Sequence, residues 1–167
     1  MTNQQLFEYL KDQAKQCQNE QSLSSIIRKI KELIETSDNF DIAYAVWYLG
    51  STYDCCQNYD LSPEWIKAQL DRGIGNVVMV VVWLNAEKPW FFDMQWAKQQ
   101  IEQSHNGNVA WAAYLLYKAH VLPMSWVKQQ IERGIGDVHR AAYLLYEHAR
   151  HKETIDMTWV KQQCLSD

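Results

Sequence analysis

Two imidazoles stand at i and i+3 in His148-Ala149-Arg150-His151, with Glu147 and Glu153 close by. On a helix that spacing puts both rings on one face, where they could share a metal. A metal site needs three or four convergent ligands, and this pair supplies two. Cationic side chains are also favoured at a helix C-terminus by the helix dipole, so His148, Arg150 and His151 predict an exposed helix end. His105, His120 and His139 are scattered and read as surface residues. Gly73-Ile74-Gly75 and Gly134-Ile135-Gly136 have the glycine density of a phosphate loop, but no strand precedes either. They predict tight corners. No Ser-His-Asp or Cys-His arrangement stands out. The expectation is a non-enzymatic chain with no catalytic, cofactor-binding or metal-binding residue.

Two further sets of side chains could bind. Lys67, Lys98, Lys128 and Lys161 recur at equivalent positions, followed by Gln69, Gln100, Gln130 and Gln163. They predict an outer polar stripe that either keeps the surface soluble or contacts a partner. Aromatics form the other set. Trp47, Trp83, Tyr114 and Tyr143 share one aligned helix position, Tyr44 and Trp111 a second, and Tyr117 and Tyr146 a third. One helix cannot bury all three positions together with its Val/Ala/Leu stripe, so some of these rings should line a groove. Aromatics and Arg are the usual anchors of protein interfaces.

The elements that position these residues are written as a repeat. Met124-Ser-Trp-Val-Lys-Gln-Gln-Ile-Glu132 matches Met94-Gln-Trp-Ala-Lys-Gln-Gln-Ile-Glu102 and Met157-Thr-Trp-Val-Lys-Gln-Gln163, with a weaker copy at Pro63–Leu70. Trp65, Trp96, Trp126 and Trp159 therefore lie 31, 30 and 33 residues apart. That period is the mark of a stacked helical array. Each Trp falls on the apolar side of a first helix and is expected in the core.

One unit reads helix, short turn, helix. The first helix starts near Met124 or Ser125 and runs to Arg133, with Trp126, Val127 and Ile131 on one side. Gly134 suits a left-handed helix end, Ile135 a fold-back onto the last turn, and Asp137 an N-cap. The second helix runs from Val138 to about Arg150. Asp41, Asn76 and Asn108 open equivalent second helices, while Ser62, Asp93 and Asp156 cap first helices. Pro123 breaks that last rule, leaving Ser125 as the capping candidate. The run Val77–Leu84, with five Val and one Met, has strand propensity. Its register with the sister helices predicts a helix buried on nearly all sides. Thr2–Gln16 and Ser24–Thr36 predict N-terminal helices without the Trp.

Four cysteines (Cys17, Cys55, Cys56, Cys164) follow no CxxC spacing and predict free thiols in a reducing compartment. The polar opening Met1-Thr-Asn-Gln-Gln5 predicts no signal peptide. The most apolar run is far short of the ~20 residues needed to span a bilayer. A cytoplasmic location is expected. Apolar residues at 47% and charged residues at 22% argue against disorder. Net charge is −4, so phosphate backbones are not expected partners. Residues 1–83 carry seven Lys/Arg against eleven Asp/Glu and residues 84–167 nine against nine, so the acidic character lies in the N-terminal half.

The phrase Asp137-Val138-His139-Arg140-Ala141-Ala142-Tyr143-Leu144-Leu145 resembles the HEAT-like repeats of phycobilin-lyase-type proteins, which carry an acidic cap, a Val, an Arg, an Ala-Ala pair and an apolar pair, matched here at Asp137, Val138, Arg140, Ala141, Ala142 and Leu145. Asn108, Val109, Ala112, Ala113 and Leu116 match it less fully. The Trp-x-Lys-Gln-Gln helix departs from the phrase, and Tyr44, Met79 and Trp111 replace its Arg. The resemblance spans roughly residues 40–165 and implies an all-α, right-handed α-solenoid of about four helical hairpins in one domain. Residues 1–36 would cap it, 37–156 form the repeats, and 157–167 close it as a half-repeat. The His-Glu pairs of HEAT-like hydroxylases are missing, and so is the basic face of HEAT-like alkylpurine glycosylases.

These readings lead to a protein-binding scaffold of inhibitor, immunity or antitoxin type. It would occlude another protein, a basic one, through its concave face and acidic half, without membrane or direct nucleic-acid binding. The candidate contact residues are Tyr44, Trp47, Tyr53, Asp54, Tyr59, Asp60, Trp111, Tyr114, Tyr117, Arg140, Tyr143 and Tyr146. The alternative is a ligand-binding or catalytic HEAT-like protein, handling a DNA base or a chromophore in an aromatic pocket.

Overall fold

A computed structural model describes residues 1–53, 59–89, 93–120, 122–149 and 155–165. Among them the chain is all-α: ten helices and no strand. It divides into two compact units, Met1–Phe92 and Asp93–Asp167. Unit 1 holds α1 (Asn3–Gln16), α2 (Glu20–Thr36), α3 (Ile42–Thr52), α4 (Pro63–Leu70) and α5 (Val77–Glu87). Unit 2 holds α6 (Met94–Gln103), α7 (Val109–Ala119), α8 (Met124–Glu132), α9 (Val138–Ala149) and α10 (Met157–Cys164). In unit 1, α1 packs on α2 and α3 packs on α2, α4 and α5; in unit 2, α7 packs on α6, α8 and α9, and α10 packs on α9. Among the described residues no helix is long and apolar enough to cross a membrane.

Most starts are set by side-chain caps, as the residue types predict. Ser62 accepts from the Trp65 amide at 3.1 Å, Asp156 from the Trp159 amide at 2.9 Å, and Asp93 from Gln95. Thr2 and Gln5 form a reciprocal capping box on α1. Asn19 caps α2, which begins at Glu20, four residues before the expected Ser24, so Glu20–Leu23 join the helix. Two expectations fail here. Asn76 makes no side-chain cap bond, and Ser125 lies inside α8, which starts from an uncapped Pro123. The extended Pro123 already places its carbonyl to accept the Trp126 amide at 3.0 Å, so a hydroxyl is not needed to begin the turn.

The helix α5 forms against its β propensity. Val77 to Val82, Leu84 and Asn85 are buried, and Trp83 alone among its large apolar residues is exposed, at 40%. Burial on nearly every side outweighs the few tenths of a kcal/mol by which each Val disfavours a helix.

Within each unit a glycine corner joins one helix pair to the pair before it. Gly75 and Gly136 have φ of +92° and +90°, which L-residues rarely adopt. A Cβ on Gly136 would lie 2.6 Å from the Asn108 Cα, and one on Gly75 would strike the Asp41 carboxylate. That closeness serves a bond. The carbonyls of Ile74 and Ile135 accept the amides of Ala43 (3.1 Å) and Ala110 (2.9 Å), which are otherwise orphan donors in the first turns of α3 and α7. Asn108 also accepts the Asp137 amide at 2.7 Å, linking successive caps directly.

Candidate partner-binding face

The repeated side chains prove to be joints. Trp65, Trp126 and Trp159 each donate the indole N–H to a Glu one repeat back: Glu35 (2.7 Å), Glu102 (2.6 Å) and Glu132 (2.8 Å). A Lys four residues before that Glu covers the ring face: Lys31 at 5.0 Å, Lys98 at 5.3 Å and Lys128 at 5.0 Å from the centroids. On a helix, i and i+4 share a side, so one Lys-x-x-x-Glu segment clamps one indole by face and edge. The helix α2 lacks the Trp yet supplies the first clamp, Lys31 and Glu35.

A second joint lies at the ends of the first helices α4 and α8. Arg133 donates to the Ile101 carbonyl at 2.8 Å and to the Ser104 carbonyl, while Gln130 accepts from it at 2.8 Å. Arg72 repeats the arrangement on the carbonyls of Ile34 and Ser37, with Gln69 alongside. The guanidinium thus closes the preceding first helix, whose last carbonyls lack partners of their own. This corrects the expected outer Lys-Gln-Gln stripe at Gln69, Lys98, Lys128 and Gln130, while Lys161 is exposed. Gln130 is 3% exposed, and Lys98 and Lys128 lie on indoles. The paired roles need residues 24 to 38 apart in sequence, so one repeat read alone hides them.

What remains for contact lies mainly on the second helices. Counted from the caps Asp41, Asn108 and Asp137, the residues Trp47, Tyr114 and Tyr143 are equivalent, but Asn76 puts Val82 there and Trp83 one place later. That one-residue shift turns Trp83 outward while Val82 is buried. The shared aromatic position is therefore three residues, not four.

In unit 1 the rings form a continuous cluster. Phe7 on α1 meets Phe40, and it meets Tyr44 and Tyr48 edge-on at 6.1 and 6.0 Å. Tyr48 leads to Tyr53 and Tyr53 to Tyr59, each at 5.9 Å. Tyr44 also leads to Trp47 and Trp47 to Trp83. The Trp47 Nε1 is buried with no hydrogen-bond partner among the described residues. Burial and the Tyr53 hydroxyl, 3.1 Å away, push the Tyr48 phenol well above its ordinary value. Lys11 lies over Phe7 and Tyr44 and pairs with Glu8. Asp60, at φ +52°, receives Lys31 and is fully open to solvent. Tyr59 borders a surface cleft of about 660 Å³ along α2, beside Glu20, Ser24 and Arg28.

In unit 2, Trp111 stacks on Tyr114 with centroids 5.4 Å apart and rings 27° from parallel. The Arg140 guanidinium lies 4.2 Å above the Trp111 centroid. Tyr114 is buried, which raises its phenol, so it supports Trp111 and is not itself a contact. Tyr143 is 50% exposed, and Tyr117 meets His148 edge-on. Tyr146 is half-buried. The structure therefore brings Tyr44 with Trp47, Tyr53 with Tyr59, and Trp111 with Tyr114 and Arg140. Asp54 lies outside the described residues, as do Cys55, Cys56, Arg150, His151 and Glu153. Among the described residues Cys17 and Cys164 are free, and no cluster of three His, Cys, Asp or Glu could hold a metal. The contributions of Phe7, Glu8 and Lys11 were missed. Their signal was present as an apolar α1 face with a charged pair three apart.

Comparison of the chain with profiles of protein families, with curated proteins and with solved structures returns no match.

Proposed function

We propose that this chain is a non-enzymatic protein-binding scaffold, an α-solenoid of HEAT-like hairpins that occludes a partner in the manner of an inhibitor, immunity protein or antitoxin. One observation carries the reading. Three repeated Trp side chains, with the Lys and Glu that clamp them and the Arg and Gln of the second joint, are engaged within the fold, whereas the side chains that vary between repeats include rings left open to solvent. Trp83 and Tyr143 are the exposed ones, 40% and 50% accessible, and both lie on second helices. Aromatic residues so placed bring large contact area at low entropy cost. Charge supports the choice of a basic partner. Residues 1–92 carry eight Lys/Arg against twelve Asp/Glu, and residues 93–167 carry eight against eight. Complementary fields of that kind speed encounter and favour the correct partner.

The test is affinity purification of the tagged chain from its native cell, at low and at high salt. A stoichiometric partner with a basic surface, kept at low salt and released at high salt, is the expected result. Glu32→Gln with Asp38→Asn, two exposed acids of unit 1, should weaken capture at low salt. Capture indifferent to salt and to those changes would remove the acidic half from the interface. Recovery of no partner would end the reading.

A further inference from the structure

Each unit holds a cation over aromatic rings, and the two differ in how that cation is completed. In unit 1, Lys11 lies 5.6 Å from the Phe7 centroid and 5.4 Å from that of Tyr44, and Glu8 pairs with it from one turn back on α1. Rings cover the cation's face, and a carboxylate takes its N–H donors. In unit 2, Arg140 lies 4.2 Å above Trp111, closer than Lys11 is to either of its rings. Among the described residues no carboxylate pairs with it, and its side chain donates no hydrogen bond. The acid nearest in sequence, Asp137, turns its Oδ1 to the Arg140 backbone amide at 3.4 Å.

A guanidinium stacked on an indole keeps all its in-plane donors, and those donors match a carboxylate two at a time. The platform beneath is firm, because buried Tyr114 stacks against Trp111. One turn further along α9, Tyr143 stands half-exposed and adds an apolar wall. We propose that Arg140, held on Trp111 and flanked by Tyr143, is a binding site for an acidic side chain of a partner protein segment. That carboxylate would complete in trans the arrangement that Glu8 completes in cis in unit 1. The site is independent of the acidic half, so it stands or falls separately from the preference for a basic partner.

The experiment uses the full chain and three capped peptides identical except for four positions that are Glu, Gln or Lys, each with one Tyr. The Trp111 indole N–H and Arg140 Nε–H are followed by nitrogen-edited NMR. The Glu peptide should shift both signals saturably, at least tenfold more tightly than the Gln peptide, and the Lys peptide should not bind. Arg140→Gln should weaken binding at least tenfold, and Arg140→Lys should recover only part, because it keeps the charge and loses the fork. Lys118→Gln, an exposed cation on α7, should change affinity less than twofold. Unchanged unfolding midpoints for these variants show that the fold survives. Equal affinity for the Glu and Gln peptides, or equal losses from Arg140→Gln and Lys118→Gln, would overturn the proposal. So would a tighter response to inorganic phosphate than to the Glu peptide.

Discussion

Unit 1 and unit 2 are built from the same joints but finish their aromatic faces differently. Both carry the Gly-Ile-Gly corner with positive φ, the Trp–Lys–Glu clamp and the Arg that closes the preceding first helix. In unit 1, α1 lies over the rings: Phe7, wholly buried, touches Phe40, Tyr44 and Tyr48, and Glu8 neutralises Lys11. In unit 2 the corresponding ring, Trp111, is covered by an exposed Arg140 whose guanidinium pairs with no carboxylate among the described residues. The joints are alike because they solve one geometric problem, the attachment of a helix pair to its predecessor. The faces differ because nothing in that problem constrains them. Sites for a partner are therefore expected where the units diverge.

The clamp offers the largest effect by which this comparison can be broken. Trp126 is 7% exposed, so Trp126→Ala should cost roughly 3–5 kcal/mol by urea unfolding. Trp65 has the same partners but is half-buried, and Trp65→Ala should cost clearly less. Equal losses would mean that the clamp's polar contacts, not burial, hold the indole. The corners come next. Gly136→Ala forces a Cβ onto the Asn108 backbone at φ +90° and should cost about 2–3 kcal/mol. Gly134→Ala, at φ +71° with open space around it, should cost about 1 kcal/mol. If the order reverses, the close approach of corner to cap is not what selects glycine.

The tyrosines sharpen the contrast through pH. The Tyr48 phenol is raised above its ordinary value of 10.0 by burial and then by the Tyr53 hydroxyl, and Tyr114 is raised mainly by burial. A raised folded-state value favours the neutral phenol. Its contribution to stability is complete below about pH 10 and is lost as pH rises beyond that, because the unfolded chain ionises first. Urea midpoints measured from pH 8 to 11 should fall at the alkaline end. Tyr48→Phe should flatten that fall more than Tyr114→Phe does. An equal effect of the two would place the perturbation outside the Tyr48–Tyr53 pair.

The smallest effect concerns Trp47. Its indole N–H has no partner among the described residues, so Trp47→Phe loses ring area but also removes a buried unsatisfied donor. The net change should fall within about 1 kcal/mol. Trp126→Phe, which strands the Glu102 carboxylate, should cost more in the same assay.

Much of the local structure was legible. The caps Ser62, Asp93 and Asp156 and the corners at Gly73 and Gly134 follow from residue types that satisfy orphan amides or accept positive φ. The α5 helix was legible against its propensity only by register with its sisters. The candidate face was less so. Tyr114 reads like Tyr143 in the aligned sequence, yet one is buried and the other 50% exposed. Trp83 slipped one place because α5 carries one more residue between cap and ring than the other second helices. On a helix one place is about 100°, enough to turn a ring from core to solvent.

The sequence by itself determined the period, the helical hairpin and its punctuation, because capping, turn chemistry and apolar spacing act within one or two turns of chain. Only the tertiary structure decided which copies of a side chain are joints and which are surface. The Lys-Gln-Gln phrase became a clamp and an orienting glutamine when residues of successive repeats met, as Trp126 meets Glu102 across 24 positions and Trp159 meets Glu132 across 27. Hydrogen bonds and burial across that separation depend on how one helix pair docks on the last, and no local propensity encodes that docking.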